Sequence, residues 1–188
     1  LGGGSGKIAS QLAAELGNSP TTVVDSSPSM LADGAKLPDN VSLYLGNMVD
    51  VDLFAEEESI DLALSLMAMH YTNSKDLAKV FSLLHTAMAP GAMGLFTLLH
   101  PDGLLKSKTQ AQDPNEDSPE VTHRLSRTDT EVTEYAHLPE HIELLGHKAG
   151  FEVETHTLNY SELLEFAKGD QEMTEHIINL LESEFVDV

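Results

Sequence analysis

The chain opens on Leu1-Gly2-Gly3-Gly4-Ser5-Gly6 and runs straight into Lys7-Ile8-Ala9. No other stretch constrains the fold as much. Gly2, Gly4 and Gly6 alternate, and a residue without Cβ can take positive φ and let another group come close to the backbone. A helical apolar spacing follows at once over residues 7–16, with Ile8, Leu12 and Leu16 on one face and Gly17 as a stop. A glycine-rich turn that feeds a helix presents free N–H groups and the positive end of the helix dipole to a polar or anionic ligand. Two nucleotide-loop patterns fail here. The NTPase phosphate loop needs Gly, four residues, then Gly-Lys-Ser/Thr, whereas Gly6-Lys7 is followed by Ile8 and Leu1 stands where the first glycine belongs. The dinucleotide fingerprint needs a glycine three residues after the second, and counting from Gly4 lands on Lys7. What remains is Gly-x-Gly-x-Gly. A flexible glycine–serine linker has the same composition, but would not be followed by the spaced features below.

At 188 residues the chain is read as one domain with a real core. Its formal net charge is −21, with 10 Lys and Arg, which repels phosphate backbones and argues against nucleic-acid partners. Without cysteine it has no disulfide framework and no thiolate chemistry. No apolar run reaches transmembrane length and no secretory leader pattern is present, so a cytoplasmic protein with no membrane partner is expected. The sequence does not read out an oligomeric state.

Strands alternate with helices along the chain. Residues 21–24 are a short β-branched strand ending at Asp25, nineteen residues after Gly6. An acid in that position of an open α/β fold hydrogen-bonds the ribose hydroxyls of a bound nucleoside. Ser26-Ser27-Pro28-Ser29-Met30-Leu31 starts a short helix with Pro28 in its first turn. Residues 41–45 are a strand, followed by Gly46-Asn47-Met48, and residues 52–57 a short acidic helix. Residues 60–66 are apolar enough for a strand buried on both faces. Asn73 or Ser74 can cap a helix over about residues 75–88, which Ala89-Pro90-Gly91 stops; residues 94–99 are the next strand, ending at His100-Pro101. Residues 103–136 turn polar and are expected to be a mobile cover on the acceptor side. Residues 138–150 read as a helix, 151–158 as a strand, 161–168 and 171–182 as two helices, and 185–188 as a last β-prone run. This order predicts a Rossmann-like, doubly wound, mostly parallel α/β sheet with helices on both faces.

Six segments in order resemble the class I S-adenosylmethionine-dependent methyltransferases of the small-molecule type. They are the loop of residues 1–6; Val23-Val24-Asp25-Ser26-Ser27 with Met30-Leu31; Gly46-Asn47-Met48; Ser59-Ile60-Asp61-Leu62-Ala63-Leu64-Ser65 with Met69-His70-Tyr71; Met88-Ala89-Pro90-Gly91-Ala92; and Ala149-Gly150-Phe151-Glu152-Val153. The resemblance implies a seven-stranded sheet, S-adenosyl-L-methionine as cofactor, S-adenosyl-L-homocysteine as product and a small-molecule acceptor. It implies that Gly2, Gly4 and Gly6 pass the cofactor's methionine part and ribose, that Asp25, with Ser26 beside it, takes the ribose hydroxyls, and that Met30 packs on the adenine. Asn47, where the family usually has Asp, would meet the adenine amino group beside Met48, and Leu66 would contact the cofactor through its backbone. A catalytically idle binding module and a protein or nucleic-acid methyltransferase are the alternatives.

Methyl transfer from a sulfonium is an in-line displacement, so a general base is needed only when the acceptor must lose a proton. His70 and His100, after successive strands, are the candidate bases; a packing role is the competing explanation for each. No His pair has convincing metal-ligand spacing. Tyr71, Arg124 and Arg127 are candidates for the acceptor side, the arginines because Lys106, Lys108, Arg124 and Arg127 concentrate positive charge in an acidic chain. The chain starts inside the loop and carries no strand in front of it. Residues 184–188 are therefore expected in the slot of the family's first strand, as in a circular permutant whose ends lie side by side. The rival expectation is an ordinary final antiparallel strand in a chain truncated at its start.

Overall fold

The computed structural model describes residues 1–32, 37–102, 119–125 and 130–157, with backbone alone at 123–125 and 130. The expectations for residues 158–188, including the strand at 185–188 and adjacent chain ends, lie outside the described residues.

Helix α1 (Lys7–Glu15) starts from Gly6 in the left-handed conformation, φ 76°. Its buried face is not the expected Ile8/Leu12/Leu16 stripe. Ala13 is buried and Ala9 packs beside it against Val23 and Val41, while Ile8 and Leu16 are more than half exposed. Two alanines let the helix approach its strands more closely than two leucines would. Strand β1 (Thr21–Asp25) pairs in parallel with β2 (Val41–Leu45), from Thr21 opposite Val41 to Asp25 opposite Leu45. Helix α2 (Pro28–Ala32) lies between them in sequence, with Pro28 opening it. The acidic helix expected at 52–57 is a 3₁₀ turn one step earlier, Met48–Leu53. It starts there because the Asn47 side chain accepts from the Val49 N–H at 3.2 Å.

Strand β3 (Ile60–Leu66) pairs in parallel with β4 (Met88–Thr97), joined by a second 3₁₀ turn (Met69–Tyr71) and helix α3 (Ser74–Ala87). Asn73 caps α3 reciprocally with Asp76, its Oδ1 accepting from the Asp76 N–H and its Nδ2 donating to Asp76 Oδ2, both at 2.9 Å. Strand β4 begins directly after the helix, six residues earlier than expected. It pairs at Met88, slips register, and resumes at Met93 opposite Leu62. The slip holds Pro90, which has no N–H to donate, and Gly91 at φ 83°. Strand β3 is not buried on both faces: Ala63 and Ser65 are buried, whereas Leu62 and, across the ladder, Met93 and Leu95 are exposed.

The expected cover over 103–136 contains a hairpin. Strands β5 (Glu120–Leu125) and β6 (Thr130–Tyr135) pair antiparallel, with Val121 opposite Glu134. Helix α4 (Pro139–Ala149) ends at Gly150, φ 107°, in place of whose missing Cβ the His85 ring sits. Residues 151–157 are not a strand, because no ladder partner reaches them among the described residues. The main core is α3: Leu77, Val80, Phe81 and Leu84 are buried against Val51, Met69, Ile142 and Leu145. The Phe81 ring meets Phe96 edge-on at 5.7 Å and Phe151 at 6.4 Å. Among the described residues no helix is long and apolar enough to cross a membrane.

The described strands form three separate pairs, two parallel and one antiparallel. The start of the chain lies between the parallel pairs. The Leu1 amino group donates to Leu64 O of β3 at 2.6 Å, and Gly3 N–H donates to Val24 O of β1 at 3.2 Å. Burial lowers the basicity of the Leu1 amino group, and the charge of Asp25 partly opposes this. The glycine loop thus sits where two half-sheets meet, with α1 on one flank and the turns after β2 and β3 on the other.

Because α3 carries the core, Leu84→Ala should cost about 2–5 kcal/mol in urea unfolding. Leu53→Ala, at a side chain 78% exposed, should stay within about 0.5 kcal/mol.

Candidate functional site

The loop has the conformation its composition demands. Gly2, Gly4 and Gly6 all take positive φ, at 61°, 56° and 76°. At Gly2 a Cβ would overlap Ala68 Cβ, and at Gly4 it would lie 3.0 Å from Met30 Cε. The turn closes with Gly6 N–H donating to Gly3 O at 3.0 Å, and α1 departs from there.

Asp25, at the end of β1, ties the loop down. Its Oδ2 accepts from Gly4 N–H and its Oδ1 from Ser27 N–H, both at 2.8 Å, and its carbonyl accepts from Gly46 N–H at 3.0 Å. A carboxylate has about four acceptor positions, so two remain for a ligand's hydroxyls. Met30 reaches Gly4 from α2, and Ser26 is exposed beside Asp25. Asn47 follows β2 and is exposed; capping Val49 uses one acceptor position of its oxygen and leaves a second. Met48 extends its methyl toward Gly2 and accepts from the Thr72 hydroxyl at 3.3 Å. Leu66 ends β3 opposite Thr97. Met67 then turns at φ 56°, its N–H shared between the carbonyl and hydroxyl of Thr97, each at 3.0 Å. A positive φ at a non-glycine residue is sparsely populated and stores strain at this end of the sheet. The structure therefore brings Gly2, Gly4, Asp25, Met30 and Met48 together through direct contacts, places Gly6 apart from them against Val23, Leu37 and Leu43, and sets Ser26, Asn47 and Leu66 on the same rim of strand ends.

The two candidate bases separate. His100 is exposed, and its Nδ1 accepts from Asp102 N–H at 3.3 Å. His70 is buried in the Met69–Tyr71 turn, with the half-exposed Tyr71 ring 4.2 Å from its own. Strand β6 packs against that turn and brings Glu134, whose Oε1 lies 3.8 Å from His70 Nε2 with both side chains buried. Just beyond, buried His137 places Nε2 2.8 Å from Thr72 O, and the ring of His141 stacks on it at 6.4 Å. Burial lowers the basicity of His137; the bond to Thr72 opposes that and His141 adds to it. Glu134, His137 and His141 were not singled out from the sequence. The signal was present, since Thr130, Val132, Thr133 and Tyr135 are β-forming residues at strand spacing. Arg124 lies on β5 opposite Glu131, and Arg127 is outside the described residues. No group of three or more His, Cys, Asp or Glu is arranged to hold a metal among the described residues.

Comparison with known proteins bears on the fold. Residues 1–91 match a family model described as a methyltransferase domain. A solved S-adenosylmethionine-dependent methyltransferase from Mesorhizobium loti is 23% identical; the match covers 94% of this chain and 83% of that one, with a TM-score of 0.68. A structure described as an S-adenosylmethionine-dependent methyltransferase from Listeria monocytogenes gives 19% identity, 82% and 76% coverage and a TM-score of 0.67. A DhpI–SAH complex gives 15% identity, 79% and 64% coverage and a TM-score of 0.55. No curated protein sequence matches the chain.

A lowered His137 pKa means that the unfolded chain binds a proton the fold refuses. Its contribution to stability is complete above the unfolded value of about 6.5 and declines as pH falls below it. Urea unfolding at pH 7.5 and 5.5 should show a smaller difference in His137→Gln than in the parent. Gly4→Ala, forced into positive φ against Met30, should lose stability at both pH values.

Proposed function

We propose, on the match of residues 1–91 to a family model described as a methyltransferase domain, that the chain transfers the methyl group of S-adenosyl-L-methionine to a small-molecule acceptor. The observation that carries the reading is the Asp25 carboxylate bound to Gly4 N–H at 2.8 Å, beside glycines held in positive φ at the carboxyl ends of parallel strands. Open α/β folds bind nucleosides at such a place. Gly2 and Gly4, seated against Ala68 and Met30, keep the loop's backbone close to the strand ends; the spare acceptor positions of Asp25 take the ribose hydroxyls, Met30 and Met48 offer apolar contact to the adenine, and Asn47 offers an amide to its edge. The cofactor, when bound, supplies an electrophilic methyl on a sulfonium. The protein's part is to hold the acceptor in line and close, and to receive a proton where the acceptor has one to lose.

The net charge of −21 favours a small acceptor over a nucleic acid, whose phosphates it would repel. We assign the proton-accepting role to His70 rather than His100, because His70 lies in the turn that packs on the loop through Ala68 and, by way of Met48, through Thr72. Arg124 and Arg127 keep the role of meeting an anionic part of the acceptor. The hydrogen bonds of Leu1 to β3 and of Gly3 to β1 also support one mostly parallel sheet that joins the two parallel pairs.

Calorimetry with S-adenosyl-L-methionine tests the reading. The parent should bind it. Asp25→Ala should bind at least about 2 kcal/mol more weakly, having lost charge-assisted bonds to the ribose and the anchor of Gly4. Parent-like affinity in that variant would remove Asp25 from the site.

A further inference from the structure

We infer that Glu134 is the positioning residue for a base at His70, and that the acceptor must therefore surrender a proton to be methylated: a hydroxyl or comparably ionisable X–H rather than a free amine. This rests on the methyltransferase reading above.

Glu134 stands on the inner face of β6, directly opposite Val121, itself 1% exposed. Strand alternation calls for an apolar side chain there. A buried carboxylate is costly unless it is paired, and a buried His–Glu pair is not explained by stability, since apolar replacements of such pairs are often neutral or stabilising. The pair is also placed where chemistry would use it. His70 lies two residues after Ala68, which packs on Gly2, and two before Thr72, which donates to Met48. Met48 in turn reaches Gly2. The turn that carries His70 is thus built onto the part of the loop assigned to the methyl donor. His137 holds the other side of the same turn through Thr72 O, so the hairpin end and the turn form one unit.

The titratable groups around the ring come from each neighbouring element: Glu134 from β6, His137 from the segment after it, His141 from α4 and Tyr71 from its own turn. Asp76 of α3 and Glu120 of β5 act on Tyr135, whose pKa is raised first by burial and then by these two charges. Glu134 is the negative group 3.8 Å from the ring. When the acceptor's X–H bond breaks, its proton goes to the His70 ring and its electron pair forms the X–C bond as the methyl's S–C bond breaks. The sulfonium charge is thereby replaced by an imidazolium facing Glu134, which later releases its proton to water.

The test needs no acceptor to begin. Imidazole-labelled protein is titrated by NMR, the His70 signal being identified by its loss in His70→Gln. In Glu134→Gln the His70 midpoint should fall by about one pH unit or more, and Glu134→Asp should recover part of the shift. An unchanged midpoint in a folded Glu134→Gln protein overturns the pairing; whether the pair serves transfer or only the fold is read from the pH profile and turnover below. Transfer from S-adenosyl-L-methionine is then compared for catechol, 4-nitrophenol and benzylamine. Catechol turnover should fall roughly 10²-fold or more in Glu134→Gln, with cofactor KM unchanged, the acid limb of the pH profile moved to lower pH, and a smaller loss for the already ionised 4-nitrophenol. Methylation of benzylamine alone, or of none of the three, counts against the acceptor class. Failure of the parent to bind S-adenosyl-L-methionine by calorimetry overturns the methyltransferase reading itself, while the NMR titration still decides the pair.

Discussion

The carboxylate of Asp25 is the contact on which the rest of the site depends. It accepts from Gly4 N–H and from Ser27 N–H at 2.8 Å each, so one side chain holds the glycine loop on one side and the start of α2 on the other. Both donors are backbone groups with no helical or ladder partner, and leaving such groups unpaired costs on the order of 1–3 kcal/mol each where water is excluded. Of the loop's left-handed glycines, Gly4 is held through its N–H by the end of β1, and Gly6 through the carbonyl of Gly3. The same end of β1 takes Gly46 N–H through the Asp25 carbonyl, which draws the segment after β2 to the same point.

From that point the architecture is a matter of distances along a common rim. Strands β1, β2 and β3 deliver Asp25, Asn47 and Leu66 at their carboxyl ends, and the loop lies between β1 and β3, bonded to a carbonyl of each. Close packing then connects the loop to the turn after β3. Gly2 lies against Ala68, Met48 bridges Gly2 to Thr72, and His70 sits between residues 68 and 72 with its ring turned into the protein. A side chain on Gly2 or Gly4 would push the assembly apart, so the loop acts as a spacer of fixed thickness.

The hairpin of β5 and β6 supplies what the two parallel pairs lack. Its inner face carries Val121 and Ala136 as a small apolar centre, and beside them Glu134 and His137 as buried polar groups directed at the turn after β3. The fold thus divides its labour: the parallel strands present the loop and its carboxylate, while an antiparallel insertion provides polar partners. In a chain with so much negative charge, the Glu134 carboxylate, buried beside a histidine, is a local departure from the surface pattern.

Much of this was legible in the residues themselves. Alternating glycines ahead of a helical spacing, the β-branched run closed by Asp25, and the Asn73 cap are local patterns, and local backbone preferences and short-range hydrogen bonds decide them. Strand β2 and helix α4 were likewise placed to within a residue at each end. The sequence by itself determined, then, that a glycine loop feeds a helix next to a carboxylate in an α/β chain. It did not determine which face of α1 is buried, because Ala9 and Ala13 win over Ile8 and Leu16 through close approach to β1, a property of the partner surface. Nor did it separate His70 from His100 or reveal Glu134. Those follow from residues 64 positions apart in the chain meeting across the turn at Met69–Tyr71, and only the packing of the hairpin on that turn brings them within reach of each other.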